Sequence, residues 1–478
     1  MWKKRLAIIG NGMGTCRLLD ELVARGAHVL YDISVYGEEP GGAYNRILLG
    51  RVLNGDRPEE IVTKTPAWYD RHAIRLLART RVTRLDTLRK TVHTEDGLER
   101  RYDLAVFATG SEAVVPPLDG LLDDSGALRR GAFVYRTVAD CLRIRQHARP
   151  GDSAVVVGGG LLGLEAAKVL SDRGLHVTVV HLSPTLMDAQ LDRIGGEMLG
   201  RQIERAGIFV RAGRTVESAY GTDRIEGVVL NDGTRLSADL VVLACGVRPR
   251  VDVARASGVP VRRGIEVNDT LATPVPSVYA FGECAEHQGR TYGIVAPVWE
   301  QAAVLADVLS ATQPQARYRG SKIYTRLKVA GVDVASMGSL EPELDSDHVV
   351  QIIEERRQTY RKVIVRDGRL LGAMLVGNTA AAAGLVQLFD RDDPVPADPL
   401  ELLCQSTACA AAPADRVICN CHKVTEQTLR QAIAEGADSV QALGAATRAG
   451  TGCGSCRTEL GQVLASARKT VVRLEAVS

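Results

Sequence analysis

Short apolar runs that stop on glycine punctuate this chain. Leu6-Ala7-Ile8-Ile9 is wholly apolar and passes into Gly10-Asn11-Gly12-Met13-Gly14-Thr15. Leu18, Leu19 and Leu22 follow at helical spacing, and a second apolar run over 33–36 ends in Glu38-Glu39. A short apolar run bounded by turn signals reads as a buried strand, and a 3.6-residue period as a helix packed on it. The pattern therefore predicts strand, glycine loop, helix, strand and terminal acid. Residues 104–108 form another such strand, closed by Thr109-Gly110, and a stretch rich in Pro, Gly and Asp over 115–126 follows.

The pattern then repeats, with a strand at 154–157 and the loop Gly158-Gly159-Gly160-Leu161-Leu162-Gly163. A helix at 164–173 and a strand at 177–181 ending in His181 complete the unit. Residues 240–244 with Gly246 echo the earlier strand ending, and 278–281 lead into Gly282-Glu283. This order predicts half of one nucleotide-binding domain, a complete second one, and a return to the first. From about residue 318 the texture changes to short strand candidates at 321–327, 332–337, 349–354, 362–365 and 371–376, with a helix near 380–388. Residues 391–399 read as a linker, and 400–478 as a compact helical module around four cysteines.

The expected fold class is α/β. It comprises two nested Rossmann-like dinucleotide-binding domains, a small α+β interface domain and a C-terminal helical [2Fe–2S] domain. The expected bounds are 1–115 with 247–317, then 116–246, 318–395 and 400–478.

With 478 residues, roughly three or four domains of ~100–200 residues are expected. A net charge of +2 with interspersed signs, and no basic tract, argues against nucleic acid. No stretch approaches the ~20 apolar residues of a membrane span. The start passes from Leu6–Ile9 straight into the glycine loop, so it reads as a first strand rather than a signal peptide. Ten cysteines in a chain of this length do not make a disulfide scaffold, and a reducing cytoplasm fits them.

Both glycine loops carry the dinucleotide fingerprint in its required context, between a strand and a helix. Gly10, Gly12 and Gly14 let the backbone approach a pyrophosphate at a helix N-terminus, where free N–H groups favour an anion. Glu38 is placed to accept ribose hydroxyls. Thr15 stands where a third glycine is usual, so the helix must tolerate a side chain there. Gly158, Gly160 and Gly163 complete the second loop. His181 replaces the usual acid, and no arginine follows at once to hold a 2′-phosphate, so NADH and NADPH both stay open. Two such sites in one chain imply FAD and a nicotinamide. A flavin accepts a hydride and releases electrons singly. Thr109 and Gly110 then cross near the flavin's nucleotide half, and Glu283 can bond its ribityl chain.

Cys419-Asn420-Cys421 is separated by 31 residues from Cys453-Gly454-Ser455-Cys456. Four thiolates hold a [2Fe–2S] cluster. Structural zinc also takes four cysteines, but through pairs spaced Cys-x2–4-Cys, and the first pair is tighter. The iron–sulfur reading is preferred. Glycines at 450, 452 and 454 free backbone N–H groups toward cluster sulfurs. No cysteine lies at 41–46, where a disulfide-reducing flavoenzyme would need one, so dithiol chemistry is not expected.

These residues have a family likeness. Gly10-Asn11-Gly12-Met13, Glu38-Glu39-Pro40, Ala43-Tyr44-Asn45-Arg46, Ala108-Thr109-Gly110, Gly158–Gly163 and Phe281-Gly282-Glu283 resemble the two-dinucleotide, pyridine-nucleotide-dependent flavin reductases. Cys419–Thr425 and Gly450–Cys456 resemble the bacterioferritin-associated-ferredoxin type of [2Fe–2S] domain. The combination is similar to the N-terminal part of bacterial NAD(P)H-dependent nitrite reductase large subunits. In layout it is similar to the electron-transfer subunit of bacterial assimilatory nitrate reductase.

The resemblance implies that Arg46 lies along the FAD pyrophosphate and Arg51 near the flavin, where relatives have a lysine. It sets Trp299 close to the flavin ring and Glu165 beside the nicotinamide. Only 22 residues follow Cys456, without the sirohaem region of full nitrite reductases, so a protein electron acceptor is expected. The first choice is a molybdenum-containing nitrate reductase catalytic subunit. A separate nitrite reductase, a ferredoxin or a rubredoxin is the alternative, and a redox or iron-state sensor is the reading of another class. A homodimer is one open expectation.

Overall fold

The apolar run that opens the chain becomes the centre of a parallel sheet, because it is buried on both faces. The strands lie in the order Val278–Ala280, Leu104–Phe107, Lys4–Ile9, Tyr31–Gly37, Arg75–Ala78. This is a computed structural model, which describes residues 3–329, 331–404, 416–419, 422–452, 454 and 456–475. Two compact units emerge. One contains Met1–Pro117, Ala132–Ala148 and Leu243–Ser321, and the other Leu118–Gly131, Arg149–Val242 and Lys322–Ser478.

In the first unit, the helix Met13–Ala24 buries Thr15, Leu18, Leu19 and Leu22. It is tied to the helix Val295–Ser310 by Arg25, whose Nε is 2.7 Å from the Asp307 carboxylate. The nested order is present, since Val278–Ala280 returns to pair with Leu104–Phe107. The outgoing and returning chain segments pair as a ribbon, Ser111–Ala113 against Val247–Pro249. The helix Val138–His147, expected with the second domain, groups with this unit. Its Thr137–Asp140 capping box fixes its start, and Arg145 donates to the carbonyls of Val52 and Asp56 at 3.0 and 3.1 Å.

The second unit has its own parallel sheet, ordered Phe209–Ala212, His176–His181, Ser153–Val157, Leu240–Leu243. Its first helix is Leu161–Asp172 and starts before the expected 164, because Gly160 is the N-cap and Gly163 is a buried position inside the helix. A three-stranded antiparallel sheet, Val216–Tyr220, Gly227–Leu230 and Arg235–Ser237, was not foreseen. The later strand candidates form one antiparallel sheet. Its order is Tyr324–Val329, Val332–Gly338, Arg369–Val376, Thr359–Arg366, His348–Glu354, with Ala382–Arg391 packed on it. The C-terminal module holds a small hairpin, Val417–Cys419 with Val424–Thr425, and the helices Glu426–Ala434, Val440–Thr447 and Arg457–Glu475. Ion pairs Arg326–Glu459 at 3.0 Å and Lys423–Asp390 at 3.3 Å join it to the antiparallel sheet and its helix.

A buried polar cluster links that sheet to the second nucleotide domain. Lys362 Nζ lies 2.9 Å from Asp192, 2.8 Å from Glu341 and 2.9 Å from the Leu340 carbonyl, while the Tyr360 hydroxyl donates to Asp192 at 2.6 Å. Asp192 also caps the helix Arg193–Arg205 through Gly195 N–H. The Lys362 and Asp192 side chains are 5% and 4% exposed. Burial opposes the Lys362 charge, but the hydrogen bonds it donates to Glu341 and Asp192 outweigh it and raise its pKa. Lys362→Met therefore removes the buried cation facing Asp192 and leaves that carboxylate only the neutral donors Tyr360 and Gly195 N–H. It should destabilise the chain by about 3–5 kcal/mol in urea or thermal melts; a cost below about 1 kcal/mol, the range of exposed pairs, would refute the buried-pair account.

Candidate functional site

The two glycine loops are built alike. Gly10 N–H bonds the Tyr36 carbonyl at 2.9 Å, and Gly158 N–H bonds Val180 at 2.8 Å, so each loop is anchored across neighbouring strands. Gly10 has φ +112°, and a Cβ there would lie 2.2 Å from the Ala108 carbonyl oxygen. No other residue fits that turn without moving the backbone. Gly12 and Gly160 are the N-caps of their helices, both extended and both without a side-chain cap. A Cβ at either would meet nothing within 4 Å. No cap side chain competes for the first-turn N–H groups and the space beside each cap is open, which suits a pyrophosphate. Gly14 packs tightly, with Val298 and Phe281 atoms 3.1 and 3.2 Å from its would-be Cβ. Thr15 is accommodated because its buried hydroxyl donates to the Gly10 carbonyl at 2.7 Å.

In the first unit a polar group assembles around Glu39 and Glu283. Glu39 accepts from Tyr44 at 2.6 Å and pairs with Arg46, which also donates to the Arg136 carbonyl at 3.0 Å. Burial opposes the Arg46 charge, but Tyr44 and Glu39 hold its pKa above the usual value. Glu283 accepts from Ser111 at 2.7 Å and pairs with Arg136. Gly110 borders it, with Glu283 Oε2 3.9 Å from a would-be Cβ. Thr109 donates to the Arg250 carbonyl at 2.6 Å, and Arg250 in turn bonds Glu38 at 2.6 Å. Glu38 is thus already engaged by a cation. Arg51 lies on the helix Leu49–Asn54, half-exposed and paired with Asp56 at 2.6 Å and Glu60 at 3.3 Å. Trp299 is buried on the helix Val295–Ser310, with the Arg17 guanidinium 5.5 Å from its ring centre. Arg136 and Arg250 carried no signal in the sequence, since each meets its acid only through the nested topology.

In the second unit His181 turns back onto the loop, its Nδ1 accepting from Gly159 N–H at 3.1 Å. Glu165 lies on the helix Leu161–Asp172, and burial pushes its carboxyl up to about 7.

In the C-terminal module Cys419 and Cys456 are 0% and 3% exposed and belong to one apolar core with Leu429, Leu443 and Leu460. Cys421 and Cys453 lie outside the described residues. Leu460 Cδ1 is 2.9 Å from a would-be Cβ of Gly450, so the helix closes tightly on the cysteine loop. Among the described residues no cluster of three or more metal-ligating side chains forms, and no helix is long and apolar enough to cross a membrane. Two buried thiols gathered in one core, 37 positions apart, fit a module folded around a cluster.

Comparison with known proteins agrees with this layout. Residues 4–304 match the pyridine nucleotide-disulphide oxidoreductase family, 324–392 the rubredoxin NAD+ reductase C-terminal domain, and 417–466 the BFD-like [2Fe-2S] binding domain. The chain belongs to the pyridine nucleotide-disulphide oxidoreductase family. It is thus an oxidoreductase with FAD, NAD(P)H and a [2Fe–2S] cluster as cofactors.

It is 36% identical over 473 residues to nitrite reductase [NAD(P)H] of Bacillus subtilis, covering 97% of this chain and 58% of that protein. It is 33% identical over 462 residues to the assimilatory nitrate reductase electron transfer subunit of the same organism, covering 96% and 59%. It therefore spans less than two thirds of either relative. The ferredoxin reductase for the CYP199A2 system of Rhodopseudomonas palustris shares the fold, with a TM-score of 0.73 and 24% identity over 82% of this chain and 96% of that one.

The raised Glu165 carboxyl has a testable consequence. Between its ordinary value of 4.5 and about 7 the folded state holds a proton that the unfolded state has lost. Stability attributable to this group therefore falls as pH rises through that window, by about 3 kcal/mol in all. Glu165→Gln should raise the melting temperature at pH 8 and leave it unchanged near pH 4. Equal shifts at both pH values would contradict the burial account.

Proposed function

We propose that this chain takes electrons from NAD(P)H and passes them through FAD and a [2Fe–2S] cluster to a separate protein acceptor. The first-choice acceptor is the molybdenum-containing catalytic subunit of an assimilatory nitrate reductase. The observation that carries the reading is the pair of uncapped glycine helix starts, followed in the same chain by a module that buries Cys419 and Cys456 in one core. Similarity to a protein named as a nitrate reductase electron transfer subunit supports the choice of acceptor.

When bound, FAD supplies the conversion from hydride to single electrons, and the cluster the one-electron outlet. The residues of the chain do the placing. Gly10, Gly12 and Gly14 receive the FAD pyrophosphate, with Arg46 alongside. Glu38 takes the ribose, Thr109 and Gly110 flank the nucleotide half, and Glu283 takes the ribityl chain. Gly158, Gly160, Gly163 and His181 receive the nicotinamide nucleotide, with Glu165 beside its ring. Arg51 is the weakest of these assignments, since Asp56 and Glu60 already hold it. Cys419, Cys421, Cys453 and Cys456 ligate the cluster. A cytoplasmic location suits reduced thiolates.

A second reading is a reductase for a ferredoxin or rubredoxin, favoured by the match of 324–392 to a rubredoxin reductase domain. Purified protein assayed side by side with nitrate reductase, ferredoxin and rubredoxin acceptors separates the two. Fast turnover with the nitrate reductase subunit alone supports the first, and failure with it while rubredoxin is reduced rules it out. Cys419→Ser and Cys453→Ser should leave anaerobic bleaching of the flavin by NAD(P)H intact and reduce delivery to the acceptor to background. Unchanged delivery would sink the cluster as the outlet.

A further inference from the structure

The strand His176–His181 ends without the acid that usually grips an adenosine ribose, yet a carboxylate stands at that strand end. His181 Nδ1 faces the Gly159 backbone N–H at 3.1 Å, and an N–H can only donate. Nδ1 is therefore the bare nitrogen, and Nε2 carries the hydrogen. Nε2 lies 3.1 Å from Asp188 Oδ1, so the imidazole donates to that carboxylate. The ring reaches this position only because residue 159 is glycine: a Cβ there would sit 2.8 Å from His181 Cγ and 2.5 Å from Leu186 Cδ2.

Asp188 is gripped on its other side as well, the Ser183 hydroxyl donating to Oδ2 at 2.6 Å. Burial works against the Asp188 charge, but the bonds from Ser183 and His181 outweigh it and lower its pKa. Its side chain is 48% exposed, which leaves carboxylate lone pairs open to an incoming hydroxyl. The cation beside this strand end is Arg214, whose N–H bonds the His181 carbonyl at 3.0 Å. Its guanidinium is turned away, to Asp232 at 2.6 Å and the Gly213 carbonyl at 3.0 Å.

We propose that Asp188, held in place by the His181 imidazole and the Ser183 hydroxyl, reads the 2′ position of the adenosine ribose and makes this chain select NADH over NADPH. The carboxylate accepts a hydrogen bond from a 2′-hydroxyl and repels a 2′-phosphate, and Arg214, held by Asp232, is turned away from offsetting that repulsion. Asp188 is the specificity determinant, and His181 is a positioning residue that ties it to the phosphate-binding loop. The assignment rests on the second glycine loop being the nicotinamide nucleotide site.

Calorimetric titration of the flavin-loaded full chain with ADP-ribose and with 2′-phospho-ADP-ribose tests it. ADP-ribose should bind about tenfold tighter or more, the scale of one hydrogen bond to a charged group. Asp188→Asn should shrink that ratio to within about threefold, chiefly by tightening the phosphorylated ligand, as loss of a like charge requires. His181→Ala should lower the ratio while leaving the flavin spectrum of the folded chain unchanged, and His181→Gln, which can bond both neighbours, should restore part of it. The ratio of kcat/KM for NADH and NADPH should move in parallel. A preference for the phosphorylated ligand, or a ratio unchanged in Asp188→Asn, overturns the proposal while leaving the nucleotide site standing. Binding of neither ligand to a folded chain overturns the site itself, and the proposal with it.

Discussion

Two helices in this chain begin on glycines that have no side-chain cap, and most of the architecture serves to hold those two ends open. An uncapped helix start leaves N–H groups without partners, which the fold tolerates only where a ligand or water completes them. Gly12 and Gly160 are held by the same device: the glycine two residues earlier bonds across to the neighbouring strand, at Tyr36 and at Val180. The parallel sheets fix these strand ends in register. The chain's departure from the first sheet and its return to it are in turn required to complete that sheet's five strands.

Around this backbone frame several charged side chains are paired. Glu283 meets Arg136, Glu38 meets Arg250, and Glu39 meets Arg46 and Tyr44. The first two pairs join segments 147 and 212 positions apart and so help close the nested topology, whereas Glu39 pairs within its own loop. In the second unit the buried Lys362–Asp192 pair does comparable work, fastening the cap of one helix to the antiparallel sheet. The His181–Asp188 pair, like Glu38–Arg250, keeps its carboxylate about half open to solvent.

Much of this is legible in the sequence. Runs such as Leu6–Ile9 and Ala154–Val157 are short, wholly apolar and stopped by glycine, and parallel strands buried on both faces leave little freedom in reading them. The strands of the small antiparallel sheet were each located to within a few residues for a similar reason. Less was visible of the three-stranded sheet over 216–237, whose strands are brief and only partly buried and carry weak periodicity. The sequence pattern starts the second-loop helix three residues late because Gly163 reads as part of the turn, though it lies within the helix where close packing favours a small residue.

Sequence alone determined the two glycine fingerprints and the cysteine spacing, because those depend on residue types at fixed local offsets. Only the tertiary structure decided which charges meet. Arg136 lies 147 positions from Glu283, and Arg250 lies 212 positions from Glu38. No local rule connects residues so distant, and the choice among many cations and acids falls to the sheet order that brings two of them within hydrogen-bond reach. His181 shows the same division: the missing acid was evident in the sequence, but its direction, back onto Gly159 and across to Asp188, is set by packing against the loop.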